Sequence, residues 1–153
     1  MLKTFPIGGI HPADNKKWSA GAAIERFALP ESVSIPLSQH IGAPAVACVA
    51  KGDKVLAGQV IATAGGFVSS NIHSSVSGTV TAVDTIVAAN GLRVPAVTIK
   101  VEGDEWVETI DRSEEIVRDI KLDSKAIIDR IKECGVVGLG GATFPTNVKL
   151  SPP

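Results

Sequence analysis

A glycine-rich loop near the end of the chain contains the residues whose types and spacing are best suited to chemistry. From Gly138 the sequence reads Gly-Leu-Gly-Gly-Ala-Thr-Phe-Pro-Thr-Asn-Val-Lys, so three glycines occur within four positions and Lys149 follows. Backbone without side chains lets amide N–H groups approach a phosphate closely, and a lysine adds a positive charge. The pattern therefore predicts a loop that holds the phosphate of a nucleotide or a flavin.

Two common nucleotide-binding fingerprints do not fit this loop. A Rossmann turn has the pattern G-x-G-x-x-G/A and opens a helix, but here the last position falls on Thr143 and Pro145 stands where the helix should begin. A Walker A loop ends in Gly-Lys-Ser/Thr, whereas Lys149 follows Val148. A tight turn with glycines at positive φ and no ligand is the alternative interpretation of the same residues.

The loop pattern Gly-x-Gly-Gly-Ala-x-Phe-Pro-Thr-x-x-Lys resembles the flavin- and NADH-binding loop of the 51-kDa-type subunit of respiratory complex I. It resembles more closely the same loop in RnfC, one of the subunits of the Rnf electron-transport complex. Earlier segments are similar to RnfC in the expected order: FPIGGIHP from residue 5, IPLSQHIGAPA from 35, GDKVLAGQVIA from 52, GFVSS from 66 and HSSVSGTV from 73. The resemblance covers essentially the whole chain. Val76 and Ala28 depart from it, since threonine and proline are common at these two positions.

The resemblance implies a fold and a set of ligands. The fold would be mainly β: a barrel-sandwich hybrid, the biotinyl/lipoyl-like domain, followed by the start of an α/β domain that binds flavin and NADH. The phosphate of FMN or the NADH pocket would be lined by Gly138, Gly140, Gly141, Ala142, Thr143 and Lys149.

The resemblance also implies a function for the intact family, which is an ion-translocating ferredoxin:NAD oxidoreductase associated with the membrane. The RnfC protein would lie peripherally on the cytoplasmic face and carry FMN, an NADH site and two 4Fe-4S clusters. Its partners would be the other subunits of the complex, ferredoxin and NAD(H). We expect this chain alone to be the inactive N-terminal portion of such a protein, with no catalytic residue of its own.

The cysteines and histidines predict no metal site. A 4Fe-4S cluster needs about four thiolates, and the chain has only Cys48 and Cys134, so the cluster ligands of the family are absent. We interpret both cysteines as small buried apolar residues and expect no disulfide in a cytosolic chain. His11, His40 and His73 share no metal-like spacing, and the latter two are expected to hydrogen-bond backbone groups in turns.

The composition favours a globular domain and excludes some partners. The chain has 153 residues, of which 44% are hydrophobic and 20% charged, as is typical of a domain with a sizeable core. A net charge of −1 and an aromatic content of 4% argue against nucleic acid as a partner. No apolar run approaches the length of about 18 residues that a membrane span needs, and no secretory signal is evident. These features point to the cytoplasm.

The pattern of residues predicts a β region followed by a helical region. Residues 32–107 are rich in Val, Ile, Ala and Thr between turn residues, which predicts a small sandwich or barrel. Strands are predicted at residues 33–35, 60–63, 78–83 and 96–101, with a turn at 88–91.

After this region, Ser113 is predicted to cap a short helix that places Ile116, Val117 and Ile120 on one face. Asp123 or Ser124 should cap a second helix, with Gly135 just past its end and Ile127, Ile128 and Ile131 facing inward. We divide the chain into a β domain with an N-terminal extension (1–109), a linker or short helix (110–122) and the beginning of a truncated FMN/NADH-binding domain (123–153).

A second function comes from the pair of turns at Gly52 and Gly78. Gly-Asp-x-Val-x-x-Gly-Gln followed by Ser-Gly-x-Val resembles biotinyl and lipoyl carrier domains, in which a lysine at a hairpin tip carries the cofactor. Here that position is near Val68, and no lysine occurs between Lys54 and Lys100. Acylation needs a primary amine, so the carrier function is rejected. A non-catalytic structural or docking module with this fold is the remaining alternative.

Overall fold

The computed structural model describes Gly9 and residues 12–151, so most of the N-terminal motif, including His11, lies outside the described residues. Residues 12–31 are exposed and contain one short 3-10 helix, Lys16–Trp18. The chain then forms, in order, β1 (Ser32–Pro36), β2 (Val46–Ala47), β3 (Lys54–Val55), β4 (Val60–Thr63), β5 (Ile72–His73), β6 (Ser77–Val87), β7 (Arg93–Gly103), α1 (Ser124–Glu133) and α2 (Thr146–Lys149).

The strands form two antiparallel sheets. The larger sheet has the order β1-β7-β6-β3 and the smaller has the order β2-β4-β5. β6 and β7 form a long hairpin whose turn contains Gly91 at φ 79°, which confirms the turn predicted at residues 88–91. The four predicted strands are also confirmed, although β6 and β7 extend beyond the predicted ends. The mainly β prediction is therefore correct.

The two sheets enclose one apolar core. Val97 and Ile99 of β7 are fully buried, and the side chain between them is only partly buried, as alternation along a strand requires. Each fully buried Val or Ile side chain stabilises the fold by about 1.5–3 kcal/mol. The remaining members of the core are Ile35, Leu37, Ala45, Val55, Ile61, Ala62, Ile72, Val76 and Val80.

The first turn that resembles carrier domains is hydrogen-bonded at one end to the larger sheet and at the other end to the smaller one. The N–H of Gly52 donates to the carbonyl of Val80 at 2.8 Å, and the N–H of Val80 donates to the carbonyl of Asp53 at 2.9 Å. The second half of the motif is bound to the segment that follows β5, because the N–H of Gly58 donates to the carbonyl of Ser74 at 2.8 Å. The motif residues therefore have a structural role in this chain.

The hairpin between β4 and β5 occupies the place where a carrier domain has its lysine. Its tip carries Phe67, which is 79% exposed, and the half-buried Val68. The hairpin is bonded to the loop after β1, because the N–H of Ala43 donates to the carbonyl of Val68 at 3.0 Å. This tip contains no lysine that could be acylated.

Helix α1 begins and ends at the predicted residues. The carboxylate of Asp123 accepts a hydrogen bond from the N–H of Ala126 at 2.8 Å, which is the N-cap interaction. At the other end Gly135 has φ 66°, and its N–H donates to the carbonyl of Lys132 while the N–H of Val136 donates to that of Ile131. This pair of bonds is a Schellman motif, which satisfies the last carbonyl groups of the helix.

The helix predicted to start at Ser113 is absent. Residues 111–123 contain no helix, and Ile116, Val117 and Ile120 are 74%, 70% and 61% exposed. An isolated helix this short is marginal in water, and β-branched side chains lower its propensity further. No described residue buries its apolar face, so the segment has no regular secondary structure.

The predicted environments of the cysteines and of one histidine are wrong. Cys48 and Cys134 are free, as expected, but both are exposed. Cys48 follows an edge strand of two residues, and Cys134 is the C-cap of α1, so neither position faces the core. His73 lies in strand β5 rather than in a turn, although its ring does hydrogen-bond a backbone group, that of Glu133, as predicted.

Candidate functional site

The glycine-rich loop is closed at its base by backbone hydrogen bonds. Val137 and Pro145 form an antiparallel bridge, and the N–H of Gly138 donates to the carbonyl of Phe144 at 3.0 Å. Just outside this pair, the N–H of Thr146 donates to the carbonyl of Val136 at 3.0 Å. The chain enters and leaves the loop at neighbouring positions, so residues 138–144 project as one unit.

The tip of the loop is open. A Cβ atom built on Gly140 or Gly141 would meet no described atom within 4 Å, so there is room for a ligand to approach the backbone. Gly141 has φ 62° and Thr143 has φ 49°, whereas Ala142 between them does not have positive φ. For a β-branched residue such as Thr143 this conformation is an outlier, and a left-handed residue costs about 1–2 kcal/mol.

The backbone N–H groups of this loop have few partners. Within Gly9 and residues 12–151, no protein acceptor forms a hydrogen bond with the N–H groups of residues 139–144. Successive amide groups in turn conformations form concave sites that bind anions. The loop therefore has several N–H groups that are free to donate to a ligand.

Lys149 lies near the base of the loop rather than at its tip. Its ammonium group is 5.9 Å from the centroid of the Phe144 ring, and a Cβ atom on Gly138 would lie 3.0 Å from its Nζ. The structure thus brings Gly138 and Lys149 together but does not bring Lys149 to Gly140 or Gly141. Because the side chain is exposed, it can swing toward a bound anion.

The other side of the loop is attached to the chain after β1. The hydroxyl of Thr143 donates to the carbonyl of Gln39 at 2.9 Å, and the N–H of Ile41 donates to the carbonyl of Ala142 at 3.2 Å. These partners of the loop were not predictable from the sequence. Apart from the Thr143 hydroxyl, the groups that form the two bonds are main-chain atoms, for which residue types give no signal.

A cleft of about 730 Å³ lies between strand β4 and helix α1 and is lined by His73, Arg130, Glu133 and Cys134. Burial lowers the pKa of His73, an effect that a hydrogen bond to the backbone of Glu133 and the charge of Glu133 partly offset. The guanidinium of Arg130 is 2.8 Å from the carboxylate of Glu133, which raises the pKa of Arg130. Lysine is absent from this cleft, and the glycine-rich loop does not line it.

The residues present fit a phosphate and do not fit an iron–sulfur cluster. Free amide groups, two unobstructed glycines and an exposed ammonium group suit the phosphate of FMN or NADH. By contrast, the described part of the chain contains no group of three or more His, Cys, Asp or Glu residues that could bind a metal. Cys48 and Cys134 are free and belong to different parts of the fold.

Comparison with known proteins assigns the family. The domain family described as the RnfC barrel sandwich hybrid domain matches residues 3–104. The chain belongs to the RnfC family. The barrel-sandwich hybrid fold predicted for this region is therefore confirmed, and so is the resemblance to RnfC.

Relatives named as C subunits of ion-translocating complexes extend the similarity across the whole chain. The chain is 46% identical to the C subunit of the proton-translocating ferredoxin:NAD(+) oxidoreductase complex of Clostridium ljungdahlii, over 100% of this chain and 33% of the relative. It is 45% identical to the C subunit of the Na(+)-translocating ferredoxin:NAD(+) oxidoreductase complex of Acetobacterium woodii, over 95% of this chain and 32% of the relative. The C subunit of the ion-translocating oxidoreductase complex of Rhodobacter capsulatus is 43% identical to the chain, over 98% of this chain and 29% of the relative.

The chain spans between 18% and 33% of the length of RnfC relatives that it matches, and it corresponds to their N-terminal portion. The names of these relatives describe an oxidoreductase complex of several subunits, so the intact family is enzymatic. In the described part of this chain, none of the helices has the length and apolar character needed to cross a membrane.

Proposed function

We propose that this chain works as the N-terminal part of an RnfC protein in an ion-translocating ferredoxin:NAD oxidoreductase, and that its glycine-rich loop binds the phosphate of FMN or NADH. The relatives supply the first half of this proposal through their names. The second half rests on one observation about the loop. The N–H groups of residues 139–144 have no acceptor among the described residues, and the space around Gly140 and Gly141 is open.

Each part of the loop would have a separate task. Gly140 and Gly141 would let the phosphate approach the backbone, while Gly138, Ala142 and Thr143 would set the path of the loop. Lys149 would move from the Phe144 ring to the phosphate and add a hydrogen bond to a charged group, which contributes about 1.5–3 kcal/mol. A bound flavin would supply hydride acceptance and single-electron transfer, and the protein would contribute binding and orientation.

The proposal includes the rest of the RnfC protein and its location. We propose that residues 1–109 form the barrel-sandwich domain, 110–122 the linker, and 123–153 the start of the flavin- and NADH-binding domain. The part of the protein outside this chain would complete the pocket and provide the iron–sulfur ligands. The whole would lie peripherally on the cytoplasmic face of the membrane, with the other subunits, ferredoxin and NAD(H) as partners.

The test is binding of FMN to a chimera in which this chain replaces the matching N-terminal portion of the Clostridium ljungdahlii relative. FMN fluorescence should be quenched on binding. Gly140→Val should abolish binding because its side chain fills the space that the phosphate needs. Lys149→Ala should weaken binding by about 1.5–3 kcal/mol.

Two controls accompany the chimera. Gly21→Ala changes an exposed glycine outside the loop and should leave FMN affinity unchanged. The 153-residue chain alone should bind FMN and NADH negligibly, because most walls of the pocket are missing and ordering a loop costs about 1–2 kcal/mol per residue. Unchanged affinity in both Gly140→Val and Lys149→Ala would mean that the loop is only a turn.

The second candidate is a non-catalytic docking module. It is supported by the 79% exposed Phe67 at the tip of the hairpin where carrier domains present their lysine. Phe67→Ser in the chimera discriminates between the two functions. If the hairpin docks another protein of the complex, this substitution should weaken assembly of the complex and leave FMN affinity unchanged.

A further inference from the structure

The glycine-rich loop is supported by three residues of the β domain that no sequence motif marks as functional. We infer that residues 39–41, here called the brace, are a positioning element that holds the glycine-rich loop in its anion-binding shape. The inference rests on the proposed function of the loop. It adds a role for the barrel-sandwich domain in that site.

The first step is the pair of bonds between the brace and the loop. The carbonyl of Gln39 accepts from the hydroxyl of Thr143 at 2.9 Å, and the N–H of Ile41 donates to the carbonyl of Ala142 at 3.2 Å. These bonds fall on the residue with φ 49° and on its immediate neighbour. A β-branched residue persists in the left-handed region only where its surroundings hold it there. The two bonds to the brace hold Thr143 in this conformation.

The second step is how the brace is itself fixed. His40 is only 8% exposed and uses both ring nitrogens. Its Nε2 lies 3.1 Å from the backbone nitrogen of Ser70 and 3.2 Å from the carbonyl oxygen of the same residue, and its Nδ1 lies 3.1 Å from the carbonyl oxygen of Ile41. These contacts fit the tautomer in which Nδ1 donates to Ile41 and Nε2 accepts from the N–H of Ser70. His40 thus connects the β4–β5 hairpin to the residue that bonds the loop.

The third step is geometric. The carbonyl of Ala142 and the N–H of Thr143 belong to one planar trans peptide group, so they point in opposite directions. Because the carbonyl is bonded to Ile41, the N–H of Thr143 points away from the brace. The brace therefore bonds the loop without using any of the N–H groups of residues 139–144, which have no acceptor among the described residues. The barrel-sandwich domain would therefore pre-organise a phosphate site that lies in the next part of the chain.

Hydrogen exchange resolved by NMR on the 153-residue chain tests the brace without any flavin. In His40→Ala, the N–H groups of Ile41, Gly138 and Thr146 should lose protection. The N–H groups of Val97 and Ile99 in β7 should keep theirs. Unchanged protection of Ile41 and Gly138 would overturn the inference.

A matched control removes other buried hydrogen bonds from the same hairpin. Ser69 is as buried as its neighbours in the core, and its hydroxyl donates to the carbonyl of Ala43 and accepts from the N–H of Gly65. Ser69→Ala should weaken the hairpin yet leave the protection of Ile41 and Gly138 unchanged. An equal loss in both variants would show that His40 acts only through general stability.

Thr143→Val covers the case in which His40→Ala does not fold. This substitution removes the hydroxyl from an exposed loop and keeps the shape of the side chain. It should lower the protection of the N–H groups of Ile41 and Gly138 from hydrogen exchange, while the N–H groups of β7 stay protected. If neither amide responds, the brace does not position the loop.

Affinity for FMN in the chimera completes the test. His40→Ala should weaken FMN binding about tenfold, the effect expected for one lost hydrogen bond of ordinary strength, and Ser69→Ala should not. If the unsubstituted chimera binds neither FMN nor NADH, the proposed function of the loop fails, and hydrogen exchange alone then decides the inference. If His40→Ala lowers hydrogen-exchange protection but leaves FMN affinity unchanged, the brace orders the loop without contributing to phosphate binding, which contradicts the inference.

Discussion

Ser69 and Ser70 are neighbours and are each 1% exposed, but only the hydroxyl of Ser69 is hydrogen-bonded. Its oxygen accepts from the N–H of Gly65 at 2.9 Å and donates to the carbonyl of Ala43 at 2.8 Å. The Oγ of Ser70 has no partner among the described residues. Two adjacent side chains of the same type and burial therefore differ in the hydrogen bonding of their hydroxyl groups.

The first prediction uses this pair. Ser69→Ala should lower the free energy of unfolding by about 1–3 kcal/mol, because it leaves two buried backbone groups without partners. Ser70→Ala should leave the free energy of unfolding unchanged or raise it, because it removes an unsatisfied polar atom. Urea denaturation followed by circular dichroism measures both. Equal destabilisation of the two variants would contradict the assigned hydrogen bonds.

The second prediction concerns Gly78 in β6. A Cβ atom at this position would overlap the carbonyl oxygen of Lys100 on the neighbouring strand, beside an irregularity in the β6–β7 pairing. Gly78→Ala should therefore lower the free energy of unfolding by about 1–3 kcal/mol through backbone displacement. Gly21→Ala, at a glycine with open space around it, serves as the control and should have little effect. Thermal or urea denaturation compares the two.

The third prediction concerns pH. The pKa of His73 in the folded chain lies below its ordinary value of 6.5, chiefly because of burial. As the pH falls below about 6.5, His73 binds a proton more readily in the unfolded chain than in the folded chain. The free energy of unfolding should therefore fall as the pH drops from about 6.5 toward the pKa of the folded state. His73→Gln should remove this part of the dependence. Urea denaturation at a series of pH values from about 7.5 down to about 5 checks it, and identical pH profiles for the two proteins would contradict it.

The fourth prediction concerns covalent modification. The chain should not become biotinylated or lipoylated, because the hairpin tip near Phe67 and Val68 carries no primary amine. Co-expression with a biotin or lipoate ligase, followed by intact-mass measurement, checks this, with an authentic carrier domain as the positive control. A mass increase of one biotinyl or lipoyl group would contradict the prediction.

Local sequence signals predicted the parts of the fold that depend on local physics. The β-branched run at β4 formed a strand, Asp123 capped α1, and Gly135 ended it. Each of these outcomes depends on a residue type and on its nearest neighbours along the chain. The glycine-rich loop was also identified from sequence, but whether its residues bind a phosphate stays a prediction.

Features that depend on distant partners were not predictable in the same way. Ile116, Val117 and Ile120 have helical spacing, yet no described surface buries them, and the helix does not form. The brace could not be predicted from the sequence, because Gln39 and Ile41 contact the loop through main-chain groups, which every residue type carries. Cys48 has the usual chemistry of a buried residue, but an edge strand of only two residues leaves it at the surface.

The position of β7 between β1 and β6 also sets the order in which the chain can fold as it leaves the ribosome. Ser32 pairs with Lys100, so β1 has no partner in the sheet until almost the whole β region has been synthesised. The β6–β7 hairpin joins neighbours in sequence and can form quickly, whereas closure by β1 is a non-local and slower event. A nascent chain halted before β7 would expose Ile35 and other core side chains, and such chains tend to aggregate. Translation pauses before residue 93 should therefore reduce the yield of folded protein more than pauses after residue 103.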